Sequence, residues 1–131
     1  MGVVTLLLDT HALLWAVADP TALSERACAL LSDAGNTLLV SSASAWEVAT
    51  KHRLGRLPEA EVLLSSFKVQ LERLRAEELS ISTRHALTAG SFSGEHRDPF
   101  DRILAAQALH EGVPLLSADA AFAAFPIETV W

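Results

Sequence analysis

The sequence predicts an α/β protein in which helices cover both faces of a parallel β-sheet. Short apolar runs alternate with helical segments along the chain, and acidic residues recur where a strand gives way to a helix. Strands that alternate with helical patterns are typical of βαβ units, whose parallel strands are buried on both sides. The length of 131 residues and the hydrophobic content of 50% suit one compact domain over residues 1–131.

In the first half of the chain, two apolar runs predict strands, and turn and capping residues bound the helices. Ser24 is the expected N-cap of the second helix, and Gly35 is its expected C-terminal signal. Ser44 and Glu47 match a capping box at the start of the third helix, which Gly55 would end. The predicted elements are a strand over 3–8, a helix over 12–17, a helix over 24–34, a strand over 37–40 and a helix over 44–54.

The second half predicts a long amphipathic helix and then shorter elements. Residues 59–77 place four apolar side chains on one helical face; these are Leu64, Phe67, Leu71 and Leu74. The remaining predictions are a strand over 79–81, a helix over 83–89, a loop over 90–97, a helix over 99–111, a strand over 115–117, a brief helix over 120–125 and a strand over 127–130.

Five carboxylates lie at or near the strand-to-helix transitions, namely Asp9, Glu47, Asp98, Asp101 and Asp119. In an α/β protein with a parallel sheet, ligands bind beyond the carboxyl ends of the strands, where these side chains would meet. Carboxylates gathered in one crevice repel one another unless cations neutralise them. Hard ions such as Mg²⁺ or Mn²⁺ prefer such oxygen ligands. The pattern therefore favours metal-assisted phosphate chemistry.

Helix capping is the alternative explanation for each acid taken alone. Asp9, Asp98 and Asp119 each precede a predicted helix, where a carboxylate satisfies free backbone N–H groups. The segment from Asp98 through Pro99 to Asp101 is a particularly good cap. Capping does not explain why the acids gather at the same edge of several strands, so we favour the metal site.

Composition narrows the function further. The net charge of −6 argues against nucleic-acid binding, but five of the sixteen acids belong to the predicted site, so charge alone does not decide the matter. No apolar stretch reaches the ~18 residues of a membrane span. The single cysteine, Cys28, excludes an internal disulfide and suits a reducing cytosol, so we expect a cytoplasmic protein without membrane contact.

Four blocks of this sequence resemble PIN-domain proteins and, within them, the VapC-like toxins of bacterial and archaeal toxin–antitoxin pairs. The blocks occur in the family's order and at its separations, and the resemblance runs from Val3 to the C-terminus. They are LLDTHALLW at 7–15, SAWEVATK at 44–51, HRDPFDRILAAQA at 96–108 and LSAD at 116–119.

This resemblance implies a three-layer α/β/α sandwich with a central parallel sheet and a Mg²⁺- or Mn²⁺-dependent endoribonuclease. Asp9, Glu47, Asp101 and Asp119 match the family's catalytic acids. Asp9 and Asp101 would hold the first ion, and Asp119 would support it or a second. Asp98 is an additional acid that would ligate metal or cap the helix.

The resemblance also assigns supporting roles. Glu47 would orient the attacking water or complete a second metal site, and hydrolysis would leave a 5′-phosphate and a 3′-hydroxyl. Ser117 resembles the family's hydroxyl that steadies the acids. Lys51 follows Glu47 by four residues, so it would pair with Glu47 or reach the RNA backbone.

The partners implied by the resemblance are an RNA substrate, a small VapB-like antitoxin and a second copy in a homodimer. Trp15 and the apolar stripe of residues 64–74 are candidates for an antitoxin surface, although most apolar helix faces belong to a core. For Trp46 and Trp131 we expect core or dimer contacts rather than base stacking.

Two alternatives come from other functional classes. A phosphorelay receiver domain has a similar length and acids at its strand ends, but it needs a late lysine, and the last lysine here is Lys68. A haloacid-dehalogenase-like phosphatase also needs a late lysine, and it starts with Asp-x-Asp, where this chain has Asp9, Thr10 and His11. A non-catalytic PIN-like scaffold usually lacks one or more acids, and this chain retains them all.

Overall fold

A parallel five-stranded sheet forms the centre of the molecule in the computed structural model, which describes residues 3–131. The strand order is β3-β2-β1-β4-β5, and every neighbouring pair is parallel. The strands are β1 (Thr5–Leu8), β2 (Thr37–Ser41), β3 (Ala76–Leu79), β4 (Leu115–Leu116) and β5 (Thr129–Val130). The predicted α/β class with a parallel sheet is confirmed.

Six α-helices connect these strands within residues 3–131. They are α1 (Thr10–Ala18), α2 (Glu25–Ser32), α3 (Ser42–Arg53), α4 (Glu61–Leu74), α5 (Thr83–Ser91) and α6 (Pro99–Glu111). A short 3₁₀ helix over Ala120–Ala124 lies between β4 and β5. Ser24 caps α2 as predicted, whereas Asp33 rather than Gly35 is the C-cap of that helix.

Two local predictions are wrong. The strand expected at 79–81 lies earlier, because Ala76 to Leu79 pair with β2. Its central residues, Glu77 and Glu78, are exposed at the sheet edge, so the segment has no apolar run that would mark it as a strand.

The predicted capping box is the other error. Helix α3 starts earlier than expected, with Ser41 as its N-cap, and the Ala43 N–H donates to the Ser41 hydroxyl at 2.9 Å. Ser44 and Glu47 therefore lie inside the helix, and both are buried. This position frees the Glu47 carboxylate from capping.

Alternate side chains of β1 pack into two apolar layers, one on each face of the sheet. Leu6 and Leu8 belong to one buried cluster, which contains residues of α1 to α4, and Leu7 belongs to a second, which contains residues of α6 and the 3₁₀ helix. Successive strand residues point to opposite faces, so the two clusters lie on opposite sides of the sheet. The three-layer α/β/α arrangement follows from this division.

The stripe predicted on α4 belongs mainly to the first of these layers. Leu71 is buried, and Phe67 and Leu74 pack against the same cluster. Leu64 is 40% exposed instead, while its neighbour Leu63 is fully buried. A break in the helix at Ser66, with φ −150° and ψ 40°, interrupts the regular turn and accounts for the displaced register.

The three tryptophans divide between core and surface. Trp131 packs against the first apolar cluster and contacts Trp15, as expected for a core residue. Trp46 is 55% exposed, so of the two contacts expected for it, core or dimer, the structure excludes the core contact and leaves the dimer contact a prediction. The reason is its position on α3, where the neighbouring Glu47 faces inwards and Trp46 consequently faces outwards.

The strand order creates a topological switch point between β1 and β4. From β1 the chain adds β2 and β3 on one side and then β4 and β5 on the other. The connections that leave the carboxyl ends of β1 and β4 diverge here, which is where parallel α/β sheets bind ligands. Among residues 3–131, no helix is long and apolar enough to cross a membrane.

We predict that Leu116→Ala, in the inner strand β4, lowers the free energy of unfolding by about 2–5 kcal/mol, because Leu116 is fully buried. Urea unfolding followed by circular dichroism measures the change. The matched control, Leu87→Ala, changes a side chain that is 68% exposed and should shift stability by about 0.5 kcal/mol or less. Equal losses in both variants would contradict the assigned core.

Candidate functional site

The predicted acids occupy the carboxyl edge of the sheet and the starts of the adjacent helices. Asp9 directly follows β1 and caps α1, and Asp119 follows β4 and caps the 3₁₀ helix. Asp98 caps α6, and Asp101 lies in the first turn of that helix. Three of the acids therefore act as helix caps, and their position at one edge of the sheet leaves a role in ligand binding open to them.

Glu47 lies at the centre of a buried hydrogen-bond network. The Thr10 hydroxyl donates to Glu47 Oε1 at 2.5 Å, and the hydroxyls of Thr10 and Ser44 are 3.0 Å apart. Because Thr10 uses its hydrogen on Glu47, Ser44 donates to Thr10. Lys51 donates to the other carboxylate oxygen, Oε2. The network fixes the orientation of a carboxylate that is only 3% exposed.

Asp101 and Asp98 form a second group at the start of α6. Asp98 Oδ1 accepts the N–H groups of Phe100 at 2.9 Å and Asp101 at 3.3 Å, so its other oxygen remains available. His96 Nε2 lies 2.9 Å from Asp101 Oδ2. Three hydrogen bonds from the Arg102 guanidinium to backbone carbonyls, including that of His96, hold the preceding loop in place.

Ser117 lies beside both Asp9 and Asp119. Asp9 accepts the Ala12 N–H at 2.7 Å, and the side chain of Ser117 lies near enough to act against the rise in the Asp9 pKa. The Ser117 hydroxyl accepts the Asp119 N–H at 3.0 Å. Ser117 thus links the connections that leave β1 and β4, on either side of the switch point. Asp9 is 5% exposed, whereas Asp119 lies in the open.

Four of the five carboxylates, Asp9, Glu47, Asp98 and Asp101, interact electrostatically. Glu47 lies near enough to Asp9 and Asp101 to raise the pKa of both, and Asp98 acts on Asp101 in the same way. Partial burial lowers the pKa of Lys51, but its hydrogen bond and charge interaction with Glu47 outweigh this effect and raise it overall. Lys51 therefore remains a cation beside the acids.

Burial raises the pKa of both Asp9 and Asp101. For Asp9 the hydrogen bonds from Ser117 and the Ala12 N–H oppose the effect of burial without cancelling it. For Asp101 burial is again the main cause, Asp98 and Glu47 add to it, His96 opposes it, and the pKa rises to about 6. For both carboxylates, the favourable neighbouring groups do not fully offset the cost of ionisation.

The donor set fits Mg²⁺ or Mn²⁺ better than a softer metal, because it consists of carboxylate and hydroxyl oxygens with an unbalanced negative charge. Within residues 3–131, no three Asp, Glu, His or Cys side chains are grouped closely enough to form a ready-made cation site. Mg²⁺ retains several waters and uses only one or two protein carboxylates, so separated acids satisfy its requirement.

Sequence reasoning missed the residues that hold the acids. Thr10 directly follows Asp9, but a lone threonine gives no signal that it will bond to Glu47, 37 residues away. Ser44 suggested a cap instead. His96 lies five residues before Asp101, which is not a standard helical pairing, so no local pattern indicates their contact.

A cavity of about 500 Å³ lies at the edge of the sheet opposite the acids. It is lined by the beginnings of β1, β4 and β5 together with Arg26 and Leu30 of α2. This is the amino-terminal edge of the strands, away from the switch point and the acids, so its size does not make it the functional site.

Fold and site together define an α/β protein with a candidate cation-binding crevice at the carboxyl edge of a parallel sheet. Within that class, the chain belongs to the PIN domain family, whose model matches residues 6–128. The match includes all five acids of the site.

The chain is also similar to individual proteins. It is 38% identical over 66 residues to a protein named Ribonuclease VapC16 from Mycobacterium tuberculosis. The match covers 48% of this chain and 47% of that protein, so it spans about half the length of the curated relative.

Two solved structures share the fold over nearly the whole chain. One is the crystal structure of VapBC2 from Rickettsia felis bound to a DNA fragment from its promoter, with 17% identity, a TM-score of 0.69 and coverage of 97% of both chains. The other is FitAcB from Neisseria gonorrhoeae, with 19% identity, a TM-score of 0.65 and coverage of 96% of both chains.

The raised pKa of Asp101 predicts a pH-dependent stability in EDTA. Between about pH 4 and 6 the folded state binds more protons at Asp101 than the unfolded state, so the free energy of unfolding falls as pH rises and levels off above the folded pKa. Asp101→Asn removes this part of the fall, as urea unfolding from pH 4 to 8 will measure.

Asp9 contributes a fall in the same direction, so the informative quantity is the difference between wild type and the Asp101→Asn variant. Glu72→Gln, which changes an exposed carboxylate on α4, should keep the wild-type profile. A profile for Asp101→Asn parallel to that of wild type would show that Asp101 is not the perturbed acid.

Proposed function

We propose that this protein is a Mg²⁺- or Mn²⁺-dependent endoribonuclease and the toxin of a toxin–antitoxin pair, formed by one domain over residues 1–131. The observation that carries the proposal is the group of buried and partly buried, mutually repelling carboxylates at the switch point of a PIN-family sheet. The similarity to a protein named as a ribonuclease supports RNA as the substrate.

Asp9, Glu47, Asp101 and Asp119 are the proposed catalytic acids. Asp9 and Asp101 hold the first ion, since Asp9 is a buried and Asp101 a partly buried carboxylate, and a cation would offset the raised pKa of each. Asp119 supports that ion or a second from across the switch point. Asp98 contributes its uncapped oxygen, because its helix-capping bonds use only Oδ1.

The residues around the acids set their orientation and charge. Ser117 lies beside Asp9, and Thr10 and Lys51 fix the orientation of Glu47 through hydrogen bonds to its two carboxylate oxygens. Each Glu47 oxygen keeps further lone pairs, so the carboxylate accepts a hydrogen bond from the attacking water. The water oxygen bonds to phosphorus as the bond from phosphorus to the 3′-oxygen breaks; overall one proton of the water is lost and the 3′-oxygen takes one up, which yields a 5′-phosphate and a 3′-hydroxyl. A bound divalent ion supplies neutralisation of the phosphate charge and acidifies water.

The partners we propose are RNA, a VapB-like antitoxin and a second copy of this chain. The similar solved structures are named VapBC2 and FitAcB, the first of which was crystallised with promoter DNA. The exposed Trp46 is available for a dimer contact. A cytoplasmic location follows from the RNA substrate and agrees with the single cysteine.

We predict that Asp9→Asn and Asp101→Asn each lower Mg²⁺-dependent cleavage of labelled RNA by roughly 100- to 1,000-fold, because each removes a charge from the site. EDTA should abolish wild-type cleavage. The proteins must be freed of any co-purified partner before the assay.

Glu72→Gln provides the matched control, since it removes an exposed carboxylate remote from the site and should cleave like wild type. Full activity of the Asp9→Asn and Asp101→Asn variants, or undiminished cleavage in EDTA, would contradict the proposed function. Absence of cleavage together with absence of Mg²⁺ binding would favour the binding scaffold instead.

Thr10 should act as a positioning residue for Glu47. Thr10→Val keeps the side-chain shape but loses the hydroxyl, so Glu47 is no longer fixed, and kcat should fall roughly 10- to 100-fold with little change in KM. Thr10→Ser restores the donor and should recover most of kcat. Equal kcat values for Thr10→Val and wild type would exclude this role.

A further inference from the structure

A pocket of about 240 Å³ opens directly beside two of the proposed catalytic acids. Its lining consists of Asp9, His11, Trp15, Ala118 and Asp119. The first three belong to the connection after β1 and the last two to the connection after β4, so the pocket lies in the crevice at the switch point.

The pocket combines a charged rim with aromatic walls. His11 and Trp15 lie one helical turn apart on α1, with ring centroids separated by 5.6 Å and ring planes inclined by 49°. Trp15 is backed by Trp131 at 5.7 Å, which holds its indole in position. His11 is exposed and Trp15 half-buried, so both rings remain open to a ligand.

These walls restrict what the pocket binds. Although two carboxylates reach it, its surface is formed largely by apolar atoms. A flat, weakly polar group stacks on such rings, with about 1–3 kcal/mol for a nucleobase on an aromatic side chain. A cation bound by the acids would attract an anionic group, so a ligand held by that cation must also carry such a group.

We propose that this pocket binds the nucleobase of the nucleotide next to the scissile phosphate. The inference rests on the proposed function, because a phosphodiester held near Asp9 and Asp119 by a divalent cation would bring its flanking base to the ring walls. A nucleotide has both required parts, a phosphate and a planar base. The aromatic contact accepts any base.

A second aromatic surface near the acids allows a matched comparison. Trp46 packs edge-on against Phe100, with ring centroids 4.6 Å apart, and its indole is 55% exposed. It does not line the pocket. Trp46→Ala therefore removes an exposed indole beside Glu47 without altering the pocket walls.

The test compares the binding of adenosine 5′-monophosphate and ribose 5-phosphate by calorimetry in Mg²⁺. Wild type should bind the nucleotide roughly 5- to 100-fold more tightly, because only the nucleotide has a base to stack. Trp15→Leu and His11→Ala should each reduce this ratio by at least about threefold. Trp15→Phe retains a ring and should preserve most of the ratio, and Trp46→Ala should preserve it fully.

His11 is exposed, so His11→Ala tests the pocket even if Trp15→Leu fails to fold. Equal affinities of wild type for the two compounds, or no binding of either, would overturn the base pocket. So would a ratio lost in Trp46→Ala but kept in His11→Ala, which would assign stacking to Trp46. If RNA is still cleaved in Mg²⁺, these outcomes leave the ribonuclease proposal standing; loss of cleavage and Mg²⁺ binding would end both.

Discussion

Burial of several carboxylates at one edge of a parallel sheet is the constraint on which the rest of this structure depends. Like charges in a site of low polarity repel, and removal from water adds to the cost of ionising them. Asp9 and Asp101 show the effect directly, since burial raises the pKa of both. The fold maintains this arrangement because the carboxyl ends of β1 and β4 diverge at the switch point and leave a crevice there.

Neighbouring polar and charged residues contact the carboxylates one by one and stabilise them in the fold. Lys51 and Thr10 stabilise Glu47, His96 lies against Asp101, and Ser117 lies beside Asp9. These contacts fix each carboxylate but leave oxygen lone pairs unused. The site is therefore ordered in advance of the ligand, and a divalent cation is the simplest species that would relieve the remaining repulsion.

The sequence predicted the sheet class and the exact bounds of α6 because both depend on local signals, such as apolar runs and the Asp98–Pro99 cap. The predicted position of β3 was wrong because this exposed edge strand carries glutamates. The predicted capping role of Ser44 was wrong because its hydroxyl forms a hydrogen bond with a residue of another helix. The acids themselves were recognisable from motif and position. Their supporting contacts were not, since Thr10 and Glu47 meet only through tertiary structure.

The most direct test of the account is calorimetric titration of Mg²⁺ into the protein at pH 6, in two buffers with different ionisation enthalpies. The account predicts saturable binding that releases protons, because Asp101 is partly protonated at this pH and must lose its proton to bind the ion. Asp101→Asn should weaken the binding and reduce the proton release. No Mg²⁺ binding at millimolar concentration, or binding identical in Asp101→Asn, would contradict the central claim that these carboxylates form a cation site.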